Sequence, residues 1–438
     1  MKFKERNIQI SMIIITLMMI ILRFLLNEKG RTNPDSIRYM RFAHVFPTID
    51  NTTTPLGYPL SIKFFTFFGP DEFWSSKIVG ISAFLFLLFF SWKKKFYFRE
   101  TVVLTAIFSF LSIFSYTMSE ALILPFVFSF LYISSLVITG KLKGSQAIFY
   151  LSLNLIALYN IRYSALFLMG GTGLFGLIFW KKEYARSFII SGLIGGAFVV
   201  LYKFLFIDYF NENYVKEFLE IGLHPTSKLL KELFEGLCTT FNPFIHIADP
   251  DKGPINYAIY GIGLLNILLI VFLFIKYKLS ETELFFVFIS VSGIVCSYFI
   301  QYFYSVNPID YRLMAPFSFA IWLVYFRRLF LLFSDKVYVI GFLSILSGMA
   351  FTWLSKGNYL ANRKEMKHFL QSENLDKGPV KYYVEDVEDL EYIQVAELIS
   401  TINPYVILTF KPKDTLQKTT LTKNKVLQKI KIDKNKYQ

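Results

Sequence analysis

The stretch IQISMIIITLMMIILRFLL, residues 8–26, decides the class of this protein. Its one charged residue is Arg23, and a helix needs about 20 apolar residues to cross the hydrocarbon core of a bilayer. Similar apolar runs recur as far as Leu354. They predict an all-α polytopic membrane protein, in which function is sought where polar residues border the runs.

The composition supports this class. Hydrophobic residues make up 54% of the chain and charged residues 18%, which lies outside the range of soluble globular proteins. The formal net charge is +14, but the basic residues fall mostly between apolar runs, as topology signals do. Nucleic acid is therefore not expected as a partner. The first apolar stretch is too long for the core of a signal peptide and predicts an uncleaved helix.

The two cysteines do not point to a metal site or a disulfide. Cys238 lies in a polar loop and Cys296 inside an apolar run, and their spacing matches no metal motif.

The apolar runs predict about eleven transmembrane helices. They lie near residues 8–26, 76–92, 101–118, 121–139, 146–160, 163–180, 187–207, 257–275, 282–302, 312–326 and 337–354. Every second connection is basic, as at Lys93–Lys95 and Arg327–Arg328, and such loops are typically cytoplasmic. We therefore expect a cytoplasmic N-terminus. If residues 146–180 formed one kinked helix, the later basic loops would face outside, so this alternative is disfavoured.

The first loop on the extracytoplasmic side, residues 27–75, is too long for a simple turn. Ser36–Val45 alternates polar and apolar positions at helical spacing and predicts a helix lying on the membrane surface. Residues 59–68 are apolar but too short to span, and they predict an interfacial or re-entrant helix. Pro59 is well placed to start it.

The sequence divides into three regions. Residues 1–354 form the transmembrane domain, residues 355–410 a small extracytoplasmic α/β appendage, and residues 411–438 a basic tail expected to be disordered. Within the appendage we expect strands at Lys381–Val384 and Tyr405–Phe410 and a helix at 388–400.

Two acidic residues are candidates for chemistry. Asp35 follows the first helix, where a carboxylate near the membrane surface can be desolvated and act as a base. The alternative role is to cap the helix that follows, and the two roles are compatible. Glu120 lies on the same predicted face, at a depth where ionisable residues tend to be functional. Its alternative role is to cap the fourth helix.

Two arginines stand where predicted extracytoplasmic turns re-enter the membrane, each beside a tyrosine. These pairs are Arg162–Tyr163 and Tyr311–Arg312. The guanidinium fork suits a phosphate, and the alternative is snorkelling to lipid headgroups. No zinc-protease, P-loop, nucleophile-elbow or dinucleotide motif is present, so metalloprotease, ATP-driven and nicotinamide chemistry are not supported.

In their order along the chain, these residues resemble the GT-C glycosyltransferases, the mannosyltransferase-like and aminoarabinose-transferase-like enzymes that use polyprenyl-phosphate sugars. The resemblance covers about residues 8–330. The family places an acidic residue, a Tyr and small-residue pattern and a Pro-Pro-Gly-Tyr-Pro motif in its first loop. The corresponding residues here are Asp35, Tyr39, Ala43 and Pro55-Leu56-Gly57-Tyr58-Pro59.

Two further motifs are similar. Ser119-Glu120-Ala121 stands where many members have Ser-Glu-Pro. The sequence from Tyr311 to Pro316 is similar to the Arg-Tyr-Leu-x-Pro motif of a late helix, with Tyr before Arg. A single Asp replaces the family's usual acidic pair in the first loop, so the sequence leaves a divalent metal open without indicating one. No other cofactor is evident.

The resemblance implies transfer of a sugar from a polyprenyl-phosphate donor to a lipid, glycan or protein acceptor, with inversion. The reaction would take place on the extracytoplasmic side of a bacterial cytoplasmic membrane. The resemblance assigns catalysis to Asp35 and Glu120. The resemblance also assigns donor-phosphate binding to Arg162, Tyr163, Tyr311 and Arg312, and a substrate cavity to Arg38, Tyr39, Tyr58 and Pro59.

The alternatives are an O-antigen-type polymerase, a lipid-linked sugar flippase or a secondary transporter. A polymerase is expected to concentrate arginines in two long outer loops, whereas residues 208–256 contain none. A transporter is expected to show repeats and polar or broken helices near the midplane, and the sequence shows no clear repeat.

Overall fold

A computed structural model describes residues 3–49, 53–212, 226–247, 253–303, 309–386 and 389–430. The chain is a multi-pass helical membrane protein with a small three-stranded sheet near its C-terminus.

Helices occupy most of the described residues. In the first half of the chain they are α1 (Phe3–Leu26), α2 (Pro34–Val45), α3 (Gly57–Thr66), α4 (Glu72–Lys94), α5 (Phe98–Ala106), α6 (Phe108–Ser115), α7 (Ser119–Ile138), α8 (Gly144–Ile161), α9 (Leu166–Ile178), α10 (Ala185–Tyr202) and α11 (Asp208–Phe210). A π-helical turn, Lys203–Ile207, joins the last two. The later helices are α12 (Thr226–Thr240), α13 (Gly253–Lys276), α14 (Glu281–Phe303), α15 (Tyr311–Phe333), α16 (Tyr338–Leu354), α17 (Tyr359–Ser372), α18 (Leu390–Ser400) and α19 (Lys423–Leu427).

The predicted number of spans is too high. Seven helical segments in the described part of the chain are long and apolar enough to cross a membrane, or eight if the bent pair α5–α6 is one span. The prediction of eleven counted 146–160 and 163–180 as spans and treated the helical stretch Tyr311–Leu354 as two. The apolar runs coincide with helices, but α8 is not apolar enough and α9 is not long enough to be a candidate span.

The bend between α5 and α6, 75°, has a local cause. No proline or glycine lies at the break. Instead the backbone N–H of Phe108 donates to the hydroxyl of Ser344 at 2.7 Å, and that hydroxyl donates to the carbonyl of Pro243 at 2.6 Å. A distant side chain thus takes a donor that a straight helix would use internally, which is a recognised cause of kinks.

The described residues form two compact units. The first comprises Met1–Thr16, Ala83–Leu111 and Leu122–Ser347. Its centre is α15, which is buried along most of its length, and Trp322 is fully buried within it. Phe175, Phe188 and Phe285 join α9, α10 and α14 with ring centroids 4.8–5.8 Å apart. Aromatic packing therefore stabilises this bundle.

The second unit comprises Leu17–Ser82, Ser112–Ala121 and Gly348–Gln438. Its parallel sheet has the order β2 (Val406–Thr409), β1 (Val380–Tyr383), β3 (Thr420–Leu421). Val380 pairs with Val406, and Tyr382 pairs with Leu421. The two longer strands and helix α18 confirm the elements predicted for the C-terminal segment.

One hydrophobic core joins this sheet to the first loop. Ile37 and Met40 of α2 share a cluster with Val395 and Ile399 of α18. Val426 and Ile430 are buried in the same cluster, so the expectation of a disordered tail does not hold for residues 411–430. Residues 431–438 of that tail lie outside the described residues.

The two helices predicted in the first loop are present. The amphipathic segment 36–45 forms most of α2, and the short apolar segment forms α3. Tyr58 of α3 is buried. At the end of α3, Phe64, Phe67 and Phe68 have 57–78% of their surface exposed. Such a row of exposed rings suits an element that lies in a membrane interface.

Candidate functional site

The start of α2 is fixed by a capping box that does not involve Asp35. The side chain of Asn33 accepts from the backbone N–H of Ser36 at 3.1 Å, and the hydroxyl of Ser36 accepts from the N–H of Asn33 at 3.0 Å. The Ser36 hydroxyl also lies 2.8 Å from the carbonyl of Thr117, to which it can donate. The alternative role proposed for Asp35 as the helix cap is therefore wrong, because Asn33 holds that position.

Asp35 instead points to solvent. Its side chain is 52% exposed and lies 3.9 Å from Arg38, whose side chain is 45% exposed. An exposed ion pair of this length contributes little stability. The carboxylate is thus accessible to a reacting group, and the burial that the sequence argument invoked for it is absent.

Three predicted site residues that are far apart in sequence meet in a buried cluster, which we call the Tyr–Glu cluster. It consists of Tyr39, Tyr58, Ser119 and Glu120. The hydroxyls of Tyr39 and Ser119 lie 3.2 Å apart, and the Ser119 hydroxyl lies 3.4 Å from a carboxylate oxygen of Glu120. The rings of Tyr39 and Tyr58 are edge to face with centroids 5.0 Å apart.

Burial controls the electrostatics of the Tyr–Glu cluster. Tyr58 is fully buried and Glu120 is 1% exposed. Burial raises the pKa of Tyr58 well above its usual range, and the nearby Tyr39 and Glu120 raise this pKa further. Tyr58 is therefore a neutral phenol at physiological pH. The buried hydroxyls favour a fixed hydrogen-bonded arrangement around the carboxylate.

Two buried basic side chains lie in the same unit, and sequence analysis did not single them out. The side-chain nitrogen of Lys77 donates to the carbonyls of Arg31 and Ser115 at 3.2 and 3.1 Å. The Arg31 guanidinium lies 3.7 Å from the centre of the Tyr116 ring. Lys77 and Arg31 are 2% and 1% exposed. A lysine inside the apolar run of α4 was the available signal, since ionisable residues in spans tend to be functional.

The predicted phosphate-binding residues lie in the first unit. Asp310 caps α15: it accepts from the backbone N–H of Arg312 at 3.0 Å and from its guanidinium Nε at 2.7 Å. The Tyr311 ring lies 3.9 Å from the ring of His246. Arg312 is thus held by a carboxylate of its own turn.

Arg162 and Tyr163 stand at the break between α8 and α9. The guanidinium Nε of Arg162 donates to the Ser164 hydroxyl at 3.0 Å. The ring of Tyr163 packs near those of Tyr159 and Tyr202, at 5.2 and 6.2 Å. This environment is a polar turn beside an aromatic wall.

The remaining predicted residue, Pro59, is buried in the first turn of α3 next to Tyr58. Of the four residues assigned to a substrate cavity, only Arg38 is exposed. Among the described residues, no group of three or more His, Cys, Asp or Glu side chains is arranged to hold a metal ion.

Comparison of the chain with protein-family models, with curated proteins and with solved structures finds no match.

Proposed function

We propose that this protein is a glycosyltransferase of the GT-C type, which transfers a sugar from a polyprenyl-phosphate donor to an acceptor, with inversion. The observation that carries the proposal is the Tyr–Glu cluster. Tyr39, Tyr58 and Glu120 come from three separate motifs of the resemblance, and they occupy one buried cluster. Chance similarity in three short motifs gives no reason for them to meet.

In the proposed reaction, Asp35 takes the proton of an acceptor hydroxyl. The acceptor oxygen then attacks the anomeric carbon, the bond from that carbon to the phosphate oxygen breaks, and polyprenyl phosphate leaves. The exposed carboxylate of Asp35 suits the role of base because a bulky acceptor can reach it.

The other residues have supporting roles in this proposal. Glu120 and Ser119 orient the Tyr39 hydroxyl, which lies on the same helix as Asp35. The resemblance assigns stabilisation of the charge on the leaving phosphate to Arg162 and Arg312, beside Tyr163 and Tyr311. The proposed acceptor is a lipid, a glycan or a protein, because each can offer a hydroxyl.

The proposed setting is a bacterial cytoplasmic membrane with the N-terminus inside and the reaction outside. Basic connections between spans support this orientation. A lipid donor also explains why the enzyme is embedded in the membrane, since the prenyl tail stays in the bilayer.

The test is turnover by the purified full chain in detergent. A polyprenyl-phosphate sugar with a radiolabelled sugar is supplied together with an extract of bacterial envelope lipids and glycans. We expect label in the acceptor fraction, lost in Asp35→Asn and kept in Glu373→Gln, an exposed acid of the same unit. No transfer from any donor, together with solute uptake into liposomes, would favour a transporter instead.

A further inference from the structure

The first unit contains a large cavity that the proposed function does not use. Its volume is about 1130 Å³, and its wall includes the turn that joins α4 to α5 and the last turns of α15. Among the described residues that line it, the cations are Lys93, Lys95, Arg99 and Arg327, and the carboxylate is Glu100. The charged lining is therefore strongly positive.

Two of these cations are held in place by buried partners. Arg327 donates to the hydroxyl of Tyr97 at 3.0 Å, and its Nε lies 3.7 Å from the buried carboxylate of Glu283. Arg99 lies 4.9 Å from the centre of the Phe330 ring and 3.9 Å from the Glu5 carboxylate. Guanidinium groups fixed in this way lose little side-chain entropy when they bind a phosphate.

The turn between α4 and α5 is itself strained. Lys95 and Tyr97 both have φ of 49°, in the left-handed region that non-glycine residues rarely adopt. The neighbouring ring of Phe96 packs against Phe128 and Tyr132 at 5.3 Å, so aromatic packing holds this backbone in position. Strained backbone that persists in this way concentrates at binding sites.

The cavity also has an apolar side. Phe89 and Trp92 line it at the end of α4 and are 54% and 60% exposed. Aromatic residues at the end of a span lie at the level of lipid headgroups. Exposed rings beside fixed cations suit a ligand that joins a phosphate to a hydrocarbon chain.

We propose that this cavity binds the phosphate headgroup of an anionic phospholipid. Arg99 and Arg327 bind the phosphate oxygens, Lys93 and Lys95 strengthen the positive field, and Phe89 and Trp92 contact the start of the acyl chains. Basic residues in a loop between spans are expected from membrane topology alone, because such loops are typically cytoplasmic. Topology does not require a cavity of this size with two guanidinium groups held by neighbouring residues. The proposal is independent of the glycosyltransferase proposal.

The test uses the purified full chain in detergent, with lipid binding counted by native mass spectrometry. Phosphatidylglycerol is the probe, and phosphatidylcholine at the same concentration is the neutral comparison. We expect preferential binding of phosphatidylglycerol, and a loss of about tenfold or more in affinity in the double variant Arg99→Gln/Arg327→Gln. The matched control is Lys181→Gln/Lys276→Gln, which removes two exposed charges outside the cavity and should change affinity little.

A second variant guards against misfolding, because Arg327 also contacts Glu283. Lys93→Gln/Lys95→Gln alters two exposed side chains, and we expect a several-fold loss of phosphatidylglycerol affinity. Equal losses in the cavity and control variants, or unchanged binding in both cavity variants, would overturn the proposal. Displacement of phosphatidylglycerol by inorganic phosphate at the same concentration would overturn the proposal that the ligand is a lipid, because a free anion would then bind the cavity as well as the lipid does.

Discussion

The start of α2 and the start of α7 place two carboxylates in opposite environments. Asp35 lies beside Arg38, with half of its side chain exposed. Glu120 lies in the Tyr–Glu cluster with 1% of its surface exposed. Both were predicted to be catalytic from short motifs. The difference teaches that exposure separates the roles these carboxylates could have: in the proposed function the exposed Asp35 takes a proton from the acceptor, and the buried Glu120 orients hydroxyl groups.

The largest expected effect separates these two carboxylates directly. Asp35→Asn should lower the rate of sugar transfer by about 10²–10⁴-fold, because general-base catalysis typically contributes that factor. Glu120→Gln keeps the size of the side chain and should lower the rate less than Asp35→Asn does. Both variants are assayed for initial rates at saturating donor. A larger loss in Glu120→Gln than in Asp35→Asn would reverse the two roles.

A second prediction tests how much the buried hydrogen bonds of Lys77 stabilise the second unit. Lys77→Met keeps the length of the side chain but leaves the carbonyls of Arg31 and Ser115 without their donor. We expect a loss of about 2 kcal/mol in the free energy of unfolding, since leaving a buried polar group without its hydrogen-bond partner costs about 1–3 kcal/mol. Thermal or denaturant unfolding in detergent measures it.

The matched control for that variant is Lys364→Met, an exposed lysine of the same unit, which should leave stability unchanged. An increase in stability in Lys77→Met would contradict the prediction. It would mean that the cost of burying the polar nitrogen of Lys77 exceeds the contribution of its two hydrogen bonds.

The third prediction concerns the exposed start of α2. Asn33→Ala removes the cap and should cost about 1 kcal/mol of stability, whereas Asp35→Ala should cost far less. Hydrogen exchange of the first turn of α2 reports on this difference. Faster exchange in the Asp35 variant than in the Asn33 variant would restore the capping role to Asp35.

The smallest expected effect concerns a third carboxylate, Glu397 of α18, whose pKa is changed by burial. Burial raises the pKa of Glu397 to about 7, and the nearby Lys29 and a hydrogen bond from Thr32 lower it in part. The folded-state pKa lies above the unfolded value, so folding favours the protonated form. The contribution of Glu397 to the stability of this unit is therefore largest at low pH and falls as pH rises through about 4.5 to 7.

Between pH 6 and pH 8 this shift should cost the unit about 1 kcal/mol. Hydrogen exchange of Leu390–Ser400 should accordingly be faster at pH 8 than at pH 6, after correction for the intrinsic rate. Glu397→Gln should remove this difference, and Glu373→Gln, an exposed acid, should not. A pH dependence that survives in Glu397→Gln would assign it to another group.

The sequence by itself determined the class of the protein and most of its helices. Hydrophobic runs locate helices because a bilayer requires a fixed length of apolar chain, and that signal is local. The same holds for α2, α3 and the two longer strands of the C-terminal sheet, whose periodicity is readable in a few residues. The number of spans was overestimated, because α8 is not apolar enough for a span and α9 is too short for one.

Only the tertiary structure decided which residues share an environment. In the structure Asn33 is the N-cap of α2, and the residues of the Tyr–Glu cluster meet although they lie about 80 positions apart in the sequence. The tertiary structure also placed Val426 and Ile430 in one core with α2, and it brought Lys93, Arg99 and Arg327 around one cavity. These features depend on contacts between distant segments. The burial of a side chain, its pKa and the clustering of charges follow from those contacts. A pattern within a few neighbouring residues does not encode contacts between distant segments.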